Sequence, residues 1–520
     1  MRRKAVLHPF LFAAYPVLFL FAQNIDELLL RDIFWPLGST LIVAILGWVG
    51  LKPLISDPAR RGLVLSTVFI FFFSYGHVYN LVDGLRVFGL EVGSHRHLLA
   101  LWILFPIAGV YVALRTRDHT SATQALNIVA VAVVLYSIVD IGRATIDRTR
   151  VDLPGSTFSL EDAATPAPDM ADEARDIYYI ILDRYGSAQT LVDHYQYDNS
   201  SFLDYLVGSG FFVAEESYSN YPKTLQSLAS SLNVTYLNEI AAIQGHASRD
   251  MTPLFEMLQD HAVGRFLKSR GYRYLHFGSW WPATTKNRFA DANIGGSAPS
   301  QILMVLYETT LIFPLISELG VFSEHLVPRQ AQHARVLKKF DQLTNVPEVD
   351  GPVFAFVHLL VPHDPYVFDS NGEFVSAAEA SRRGRTVNYT AQLEFINRKL
   401  QELVDSLLAQ YETKPIIILQ GDEGPFPERY VREGSRWWDS ATRAELAEKC
   451  GILNAYYLPD GGSEVLYEGI TPVNTFRVVL NFYFGTKLPK LEDRNYAISS
   501  DEEAYSFYDI TDSLRLLAPD

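Results

Sequence analysis

Cysteine is almost absent from this sequence, and basic residues are outnumbered by acidic ones. Cys450 is the only cysteine in 520 residues, which excludes an intrachain disulfide and any cysteine-rich zinc site. Lysine and arginine number 44 against 59 aspartates and glutamates, giving a net charge of -15. Because binding to nucleic acid requires a basic face, this balance argues against such a partner. The lack of disulfides fits a bacterial protein.

Long apolar runs, by contrast, fill the first third of the chain. Five of them approach or reach the length of about 20 residues that a membrane-spanning helix needs. They cover roughly residues 6–23, 36–56, 62–82, 97–114 and 123–141. The first run follows a basic start but lacks a small-x-small cleavage site, which favours a retained anchor over a signal peptide. The pattern predicts a transmembrane helical domain over residues 1–142.

The basic residues between these runs are unevenly distributed. One side of the predicted membrane domain carries Arg2, Arg3, Lys4, Lys52, Arg60, Arg61, Arg115 and Arg117. The opposite loops carry Arg31, Arg86 and Arg96. Positive residues favour the cytoplasm, and an odd number of spans then places everything after residue 142 outside. We expect a multi-pass protein of the bacterial inner (cytoplasmic) membrane with its C-terminal part on the periplasmic or extracellular side.

Residues 143–175 are rich in proline, alanine, serine, threonine and acids, without a sustained apolar period. This composition predicts a linker. A second domain, over residues 176–520, follows it.

Three apolar runs in this second domain end in polar residues. Residues 176–182 precede Asp183, residues 353–361 precede His363, and residues 414–421 precede Asp422. Such runs are typical of strands buried on both faces, and a helical pattern over residues 389–408 lies between two of them. The pattern predicts an α/β domain with a mainly parallel sheet. In such sheets ligands bind at the carboxyl ends of the strands, so these residues could converge on one site.

The order of these motifs resembles the alkaline-phosphatase/sulfatase superfamily. A strand ending in Asp183, a helix start rich in Thr and Ser, then His363 and the Asp422-Glu423-Gly424 turn follow one another as in that superfamily. The closer resemblance is to its membrane branch, the lipoteichoic acid synthases and phosphoethanolamine transferases, which also carry five helices. The resemblance covers residues 176–485 and, through the helix count, the N-terminus.

The resemblance implies that Thr224 is the nucleophile. Pro222 limits backward extension of the following helix, so Thr224 falls in its first turn, where free N–H groups favour an anion. The alternative is a plain helix cap, a position that Thr often occupies. Ser227, one turn further, is the reserve candidate. Lys223, Ser227 and Ser279, the last beside two tryptophans, are candidate substrate-binding residues.

The resemblance also implies a metal site formed by Asp183, Thr224, Asp422 and the residue after it. Glu423 stands where the membrane transferases carry His. Carboxylates favour Mn²⁺, Mg²⁺ or Ca²⁺ over Zn²⁺, so we expect one of the harder ions. His363 matches a substrate-side His that donates a proton or binds phosphate. His358, within the strand, is interpreted as a core or rim residue.

Residues 224–228, Thr-Leu-Gln-Ser-Leu, lack the Cys/Ser-x-Pro-x-Arg pattern of formylglycine sulfatases, which disfavours ordinary sulfate-ester hydrolysis. The sequence thus predicts a metal-dependent transferase or hydrolase acting on phosphate esters of a membrane lipid or cell-envelope glycan, through a Thr phospho-intermediate. The alternative is a catalytically inert relative that serves in envelope assembly or binding, for which Glu423 is the main argument.

Overall fold

The structure is a computed structural model. It describes residues 5–25, 28, 30–82, 85–87, 90–91, 95–149, 174–295, 301–319, 328–346, 350–500 and 503–515. Most of the predicted linker, and the basic residues Arg2, Arg3, Lys4 and Arg150, lie outside the described residues. The chain forms two compact units: residues 1–150 with 299–328, and residues 151–298 with 329–520.

The first unit contains five apolar helices, as the sequence predicts. They are α1 (His8–Gln23), α2 (Phe34–Gly50), α3 (Pro58–Val82), α4 (His95–Arg115) and α5 (His119–Thr149). A two-stranded hairpin, β1 (Arg86–Val87) and β2 (Leu90–Glu91), precedes α4. By length and composition, three helices can cross a membrane: Pro58–Val82, His97–Arg115 and His119–Arg143. The other two apolar helices are shorter, with 16 and 17 residues.

The second unit is built on a seven-stranded sheet. Its strands are β3 (Ile177–Leu182), β4 (Phe212–Val213), β5 (Arg273–Phe277), β6 (Ala292–Ile294), β7 (Val353–Leu359), β8 (Ile416–Gly421) and β9 (Asn454–Tyr457). The order across the sheet is β4-β9-β8-β3-β7-β5-β6. Neighbours from β8 to β6 are parallel, while β9 is antiparallel to β8 and β4. This mixed, mostly parallel sheet confirms the predicted fold class.

Helices surround the sheet in the second unit. Those before residue 299 are α6 (Ala188–Tyr195), α7 (Ser200–Gly208), α8 (Thr224–Leu232), α9 (Asn238–Gln244), α10 (Thr252–Gln259), α11 (Ala262–Ser269) and α12 (Pro282–Thr285).

Two helices inserted in the sequence of the second unit pack instead within the first. They are α13 (Gln301–Thr309) and α14 (Ile312–Leu319). Ile302 and Leu306 of α13 join an apolar cluster with residues of α1 and α3. The backbone N–H of Leu311 also donates to the Phe72 carbonyl at 2.9 Å. The sequence predicts a second domain over residues 176–520, which includes residues 301–319, and these domain boundaries stay a prediction.

The remaining elements complete the second unit. The helices are α15 (Pro328–Thr344), α16 (Ala377–Arg383), α17 (Arg385–Gln410), α18 (Glu428–Glu433), α19 (Arg443–Cys450), α20 (Pro472–Phe484) and α21 (Thr511–Arg515). A hairpin is formed by β10 (Tyr496–Ile498) and β11 (Phe507–Asp509).

The central strands separate two apolar cores. Alternate residues of β3 face opposite sides, so Tyr179 and Ile181 join one buried cluster while Ile180 and Leu182 join the other. Helix α8 packs on the first of these faces through Leu225. The strands are therefore buried on both sides, which explains their continuous apolar runs.

Candidate functional site

The carboxyl ends of β3, β7 and β8 bring three possible metal ligands together. Asp183 directly follows β3, His358 lies in β7, and Asp422 directly follows β8. All three are buried, and one ligand atom from each lies within 4.8 Å of the others. Asp183 Oδ2 is 3.4 Å from His358 Nε2. We call these three residues the ligand cluster; two carboxylates and an imidazole are donors that divalent metals accept.

Alternation along the strands explains why these side chains meet. Tyr179, Phe356 and Ile418 belong to the same buried face of the sheet. Each member of the ligand cluster stands an even number of positions beyond one of these residues, so its side chain extends from that same face. Register then aligns the strands, with Ile181 opposite His358.

Three buried atoms of the ligand cluster lack hydrogen-bond partners. They are Asp183 Oδ1, His358 Nε2 and Asp422 Oδ2, for which the described part of the chain supplies no partner. Leaving a buried polar atom unsatisfied costs about 1–3 kcal/mol. A cation bound among them would satisfy all three, so the residues present fit a divalent metal.

Burial sets the protonation of the ligand cluster. It lowers the pKa of His358 to about 4, so the imidazole is neutral and keeps a lone pair for a metal. Burial, together with the charges of Asp183 and Glu423, raises the pKa of Asp422 to about 7. Burial is also the main cause of a raised pKa at Asp183. Two buried carboxyls this close need a positive partner to stay ionised together.

His358 is a member of the ligand cluster that the sequence pattern did not predict, since it was interpreted as a core or rim residue. Its Nδ1 is 2.8 Å from Thr284 Oγ1, which is itself 2.8 Å from Ser279 Oγ. This chain of polar groups fixes the ring and leaves Nε2 directed at Asp183, as supporting groups do for metal-binding histidines. The structure thus places Ser279 behind His358; its predicted role in substrate binding stays a prediction.

Thr224 is the first residue of α8, as Pro222 predicts. The hydroxyl approaches Asp422 and helps to stabilise the charged form of that carboxyl. The N-cap residue, Lys223, makes no side-chain capping hydrogen bond within the part of the chain that the structure describes. The helix start is therefore open to an anion beside the ligand cluster.

Glu423 lies in an ion pair and outside the ligand cluster. Its Oε1 is 2.8 Å from Lys449 Nζ and 3.2 Å from Arg184 Nε. Burial would raise the pKa of Glu423, but Lys449, Arg184 and Lys223 bring it below its usual value. Glu423 directly follows Asp422, so its side chain leaves the opposite side of the backbone. Its predicted role as a metal ligand stays a prediction.

The ligand cluster bears on the predicted preference for Mn²⁺, Mg²⁺ or Ca²⁺ over Zn²⁺. That preference depended on a carboxylate in place of an imidazole, whereas His358 brings an imidazole into the ligand cluster. Zinc accepts such a mixed donor set as readily as manganese does. The identity of the metal stays a prediction.

His363 and Asp364 follow β7 beside the ligand cluster. The backbone N–H of His363 donates to the Asp183 carbonyl at 3.1 Å, and its charged form would lower the pKa of Asp183. Asp364 Oδ1 accepts from Arg184 Nη1 at 2.7 Å. The backbone N–H of Arg184 reaches Asp422 Oδ1 at 3.0 Å, so Arg184 connects these residues.

The two other predicted substrate residues lie on α8 and at its start. Lys223 Nζ donates to the Tyr430 hydroxyl at 2.5 Å. Ser227 is buried one turn into the helix, with 1% of its surface exposed. Lys223 thus borders the site, while Ser227 belongs to the packed face of α8.

A model of the sulfatase family matches residues 175–478. Among curated proteins, no match is found. The matched region contains the ligand cluster, Thr224 and His363.

Three solved structures illustrate what this chain is similar to. The C-terminal periplasmic domain of EcEptC from Escherichia coli is 16% identical, with a TM-score of 0.42, over 66% of this chain and 95% of that chain. The lipooligosaccharide phosphoethanolamine transferase A from Neisseria meningitidis is an integral membrane protein. It is 11% identical, with a TM-score of 0.41, over 96% of this chain and 97% of that chain. An alkaline phosphatase superfamily protein from Vibrio parahaemolyticus is 12% identical, with a TM-score of 0.39, over 62% and 73%.

Proposed function

We propose that this chain, which belongs to the sulfatase family, uses Thr224 to take a phosphoryl group from a phosphate ester and passes that group to water or to a second envelope molecule. A metal-dependent transferase and a metal-dependent hydrolase share this first half-reaction. The observation that carries the proposal is the ligand cluster, with three unpartnered buried donor atoms beside the hydroxyl that begins α8.

The ligand cluster would hold one divalent cation. When bound, such an ion lowers the pKa of a neighbouring hydroxyl and neutralises charge on phosphoryl oxygens. The chain supplies the remaining chemistry. The open N–H groups at the start of α8, with Lys223, bind the phosphoryl oxygens.

Thr224 acts as the nucleophile in this scheme. It releases its hydroxyl proton to water, and its Oγ forms a bond to phosphorus as the ester oxygen leaves. His363, at the rim of the site with 21% of its side chain exposed, donates a proton to that leaving oxygen. A water molecule or an alcohol then attacks phosphorus and gives its proton to His363. The bond between phosphorus and Thr224 Oγ breaks, and that oxygen takes a proton from water, which restores the enzyme.

The substrate is a phosphate ester of a membrane lipid or a cell-envelope glycan. The apolar helices support this assignment, since an enzyme fixed in a membrane works on molecules within reach of that membrane. We place the second unit on the extracytoplasmic side, from the distribution of basic residues between the spans.

Replacement of Thr224 by Ala tests this proposal. The full-length protein should turn over an aryl phosphate in the presence of Mn²⁺ or Zn²⁺, and T224A should lower kcat by at least about a thousandfold, as loss of a nucleophile does in other hydrolases. Thr252 offers a matched control, because it also begins a helix, α10, and lies outside the ligand cluster. Full activity in T224A, or equal loss in T252A, would contradict the assignment.

An inert envelope protein is the alternative. The main argument for this alternative is that Glu423, as a metal ligand, could not replace the histidine that the resemblance implies at this position. The imidazole of His358 and the ion pair of Glu423 with Lys449 weaken that argument. Failure of the wild-type protein to bind any divalent metal would favour the alternative.

A further inference from the structure

An open cavity of about 580 Å³ adjoins the proposed catalytic residues. Arg184 and Asp364 form the wall nearest the ligand cluster. The remaining wall includes Tyr366, Arg385 and Tyr430. The volume is that of a small-molecule site, and it suits the organic part of a phosphate ester.

The charges on the cavity wall do not balance. Its lining residues include two guanidinium groups, Arg184 and Arg385, and one carboxylate, Asp364. Arg184 is neutralised, since it pairs with Asp364 at 2.7 Å and with Glu423 at 3.2 Å. Arg385 has no carboxylate ion pair among the residues that the structure describes. Glu448 and Asp364 lie within electrostatic reach of the Arg385 guanidinium, but neither carboxylate forms an ion pair with it.

Neutral groups hold the Arg385 guanidinium in place. It donates to the Phe426 carbonyl and, at 3.3 Å, to the Tyr195 hydroxyl, and it also contacts Tyr366. Arg385 is partly buried and begins α17, a helix of 26 residues whose positive end faces the same side. Neutral hydrogen-bond partners hold a half-buried cation in position without neutralising its charge. Such a cation can therefore bind an anion.

We propose that Arg385 binds a second anionic group, carried on the organic part of the substrate. This inference rests on the proposed function, because it assigns the alcohol side of the phosphate ester to this cavity. The substrate class is then a phosphate ester of an acidic alcohol. A sugar acid of an envelope glycan and a phospholipid with a second phosphate share this chemistry.

Binding to the Thr224→Ala variant of the full-length chain tests the inference without turnover. Two probes form a matched pair, glucuronic acid 1-phosphate and glucose 1-phosphate, which differ only at C6, where a carboxylate replaces the hydroxymethyl group. We expect the acidic probe to bind at least about tenfold more tightly, a factor that one charge-assisted hydrogen bond supplies. Cardiolipin against phosphatidylglycerol in mixed micelles provides the same comparison for a lipid source.

Arg385→Gln should remove this preference and leave the affinity for glucose 1-phosphate within about threefold. Arg385→Lys keeps the charge but loses the planar fork, so it should retain part of the preference. Arg382→Gln is the matched control, because Arg382 is exposed, pairs with Glu379 and lies outside the cavity lining. Equal weakening of both probes by R385Q, or no preference in the parent protein, would overturn the inference.

The binding assay separates this inference from the proposed function. If T224A keeps full catalytic activity but R385Q abolishes the preference for the acidic probe, the nucleophile assignment fails and the anion site stands. If T224A is inactive and R385Q changes nothing, the proposed function stands and the anion site fails.

Discussion

His358 contributes the one imidazole of the ligand cluster, whose other two members are carboxylates. Its imidazole is held by Thr284 and faces Asp183 from within a buried strand. Burial keeps it neutral, which is the form that binds a metal. His363, five residues later, is partly exposed and lies at the rim. The two histidines therefore lie in different surroundings, and we propose different roles for them.

We predict that His358→Ala lowers the affinity of the full-length protein for Mn²⁺ and Zn²⁺ by more than about tenfold, the loss seen even when a supporting group is removed. His363→Ala is the control and should leave metal affinity nearly unchanged. Titration calorimetry in detergent measures both. Unchanged affinity in H358A would remove His358 from the metal site.

Glu423 stands where the resemblance to the membrane transferases implies a histidine. Its carboxylate forms ion pairs with Lys449, which is fully buried, and with Arg184. Removing the partner of a buried cation lowers the free energy of unfolding by about 3–5 kcal/mol. The primary task of Glu423 in this account is therefore to keep these two cations in place.

We predict that Glu423→Gln lowers the free energy of unfolding by about 3–5 kcal/mol while metal affinity changes little. Glu402→Gln is the control, since Glu402 forms an exposed pair with Lys399 worth at most about 1 kcal/mol. Denaturant unfolding and metal titration give the two readouts. Normal stability with lost metal binding would instead identify Glu423 as a ligand.

At the scale of elements, the turn after β8 determines how close Asp422 and Glu423 come to α19. The N–H of Gly424 donates to the Lys449 carbonyl at 2.8 Å. A Cβ at Gly424 would lie 2.2 Å from the Glu448 carbonyl oxygen, so a side chain cannot be accommodated without moving the backbone.

Gly424→Ala is therefore predicted to destabilise the second unit by about 1–3 kcal/mol and to weaken metal binding, because the shift moves Asp422. Gly469→Ala serves as the control, since a Cβ there meets no atom within 4 Å. Thermal unfolding and metal titration of both variants measure the effects. Equal behaviour of the two variants would contradict this account of the turn.

The strands were predictable from sequence, and their register was not. The apolar runs before Asp183, His363 and Asp422 identify β3, β7 and β8, and the helical pattern over residues 389–408 lies within α17. The pairing of Ile181 with His358 depends on contacts between distant segments. The sequence signal for His358 as a possible ligand was a histidine inside a buried apolar strand. The same pattern is typical of a core residue.

At the scale of the whole molecule, hydrophobicity predicted the five apolar helices but not α13 and α14. Their segment, residues 301–319, is short and lies within the sequence of the second unit, yet Ile302 and Leu306 are buried in the first. That α13 and α14 belong to the first unit is visible only from their packing in the structure. The chain thus returns to the helical unit between β6 and α15.

The predicted orientation can be tested with single cysteines, because Cys450 is buried. Val207 in the second unit and Leu54 between α2 and α3 are exposed. A membrane-impermeant maleimide should label Val207→Cys in intact spheroplasts and Leu54→Cys only after lysis. The reverse pattern would place the second unit in the cytoplasm.

Thr224, beside the ligand cluster, is the residue that we propose receives the phosphoryl group. Phosphopeptide mapping tests it most directly, with wild-type protein quenched in acid during turnover of a phosphate ester and analysed by mass spectrometry. We expect phosphothreonine at residue 224, formed only when a divalent metal is present. Turnover with phosphate on another residue, or on none, would contradict it.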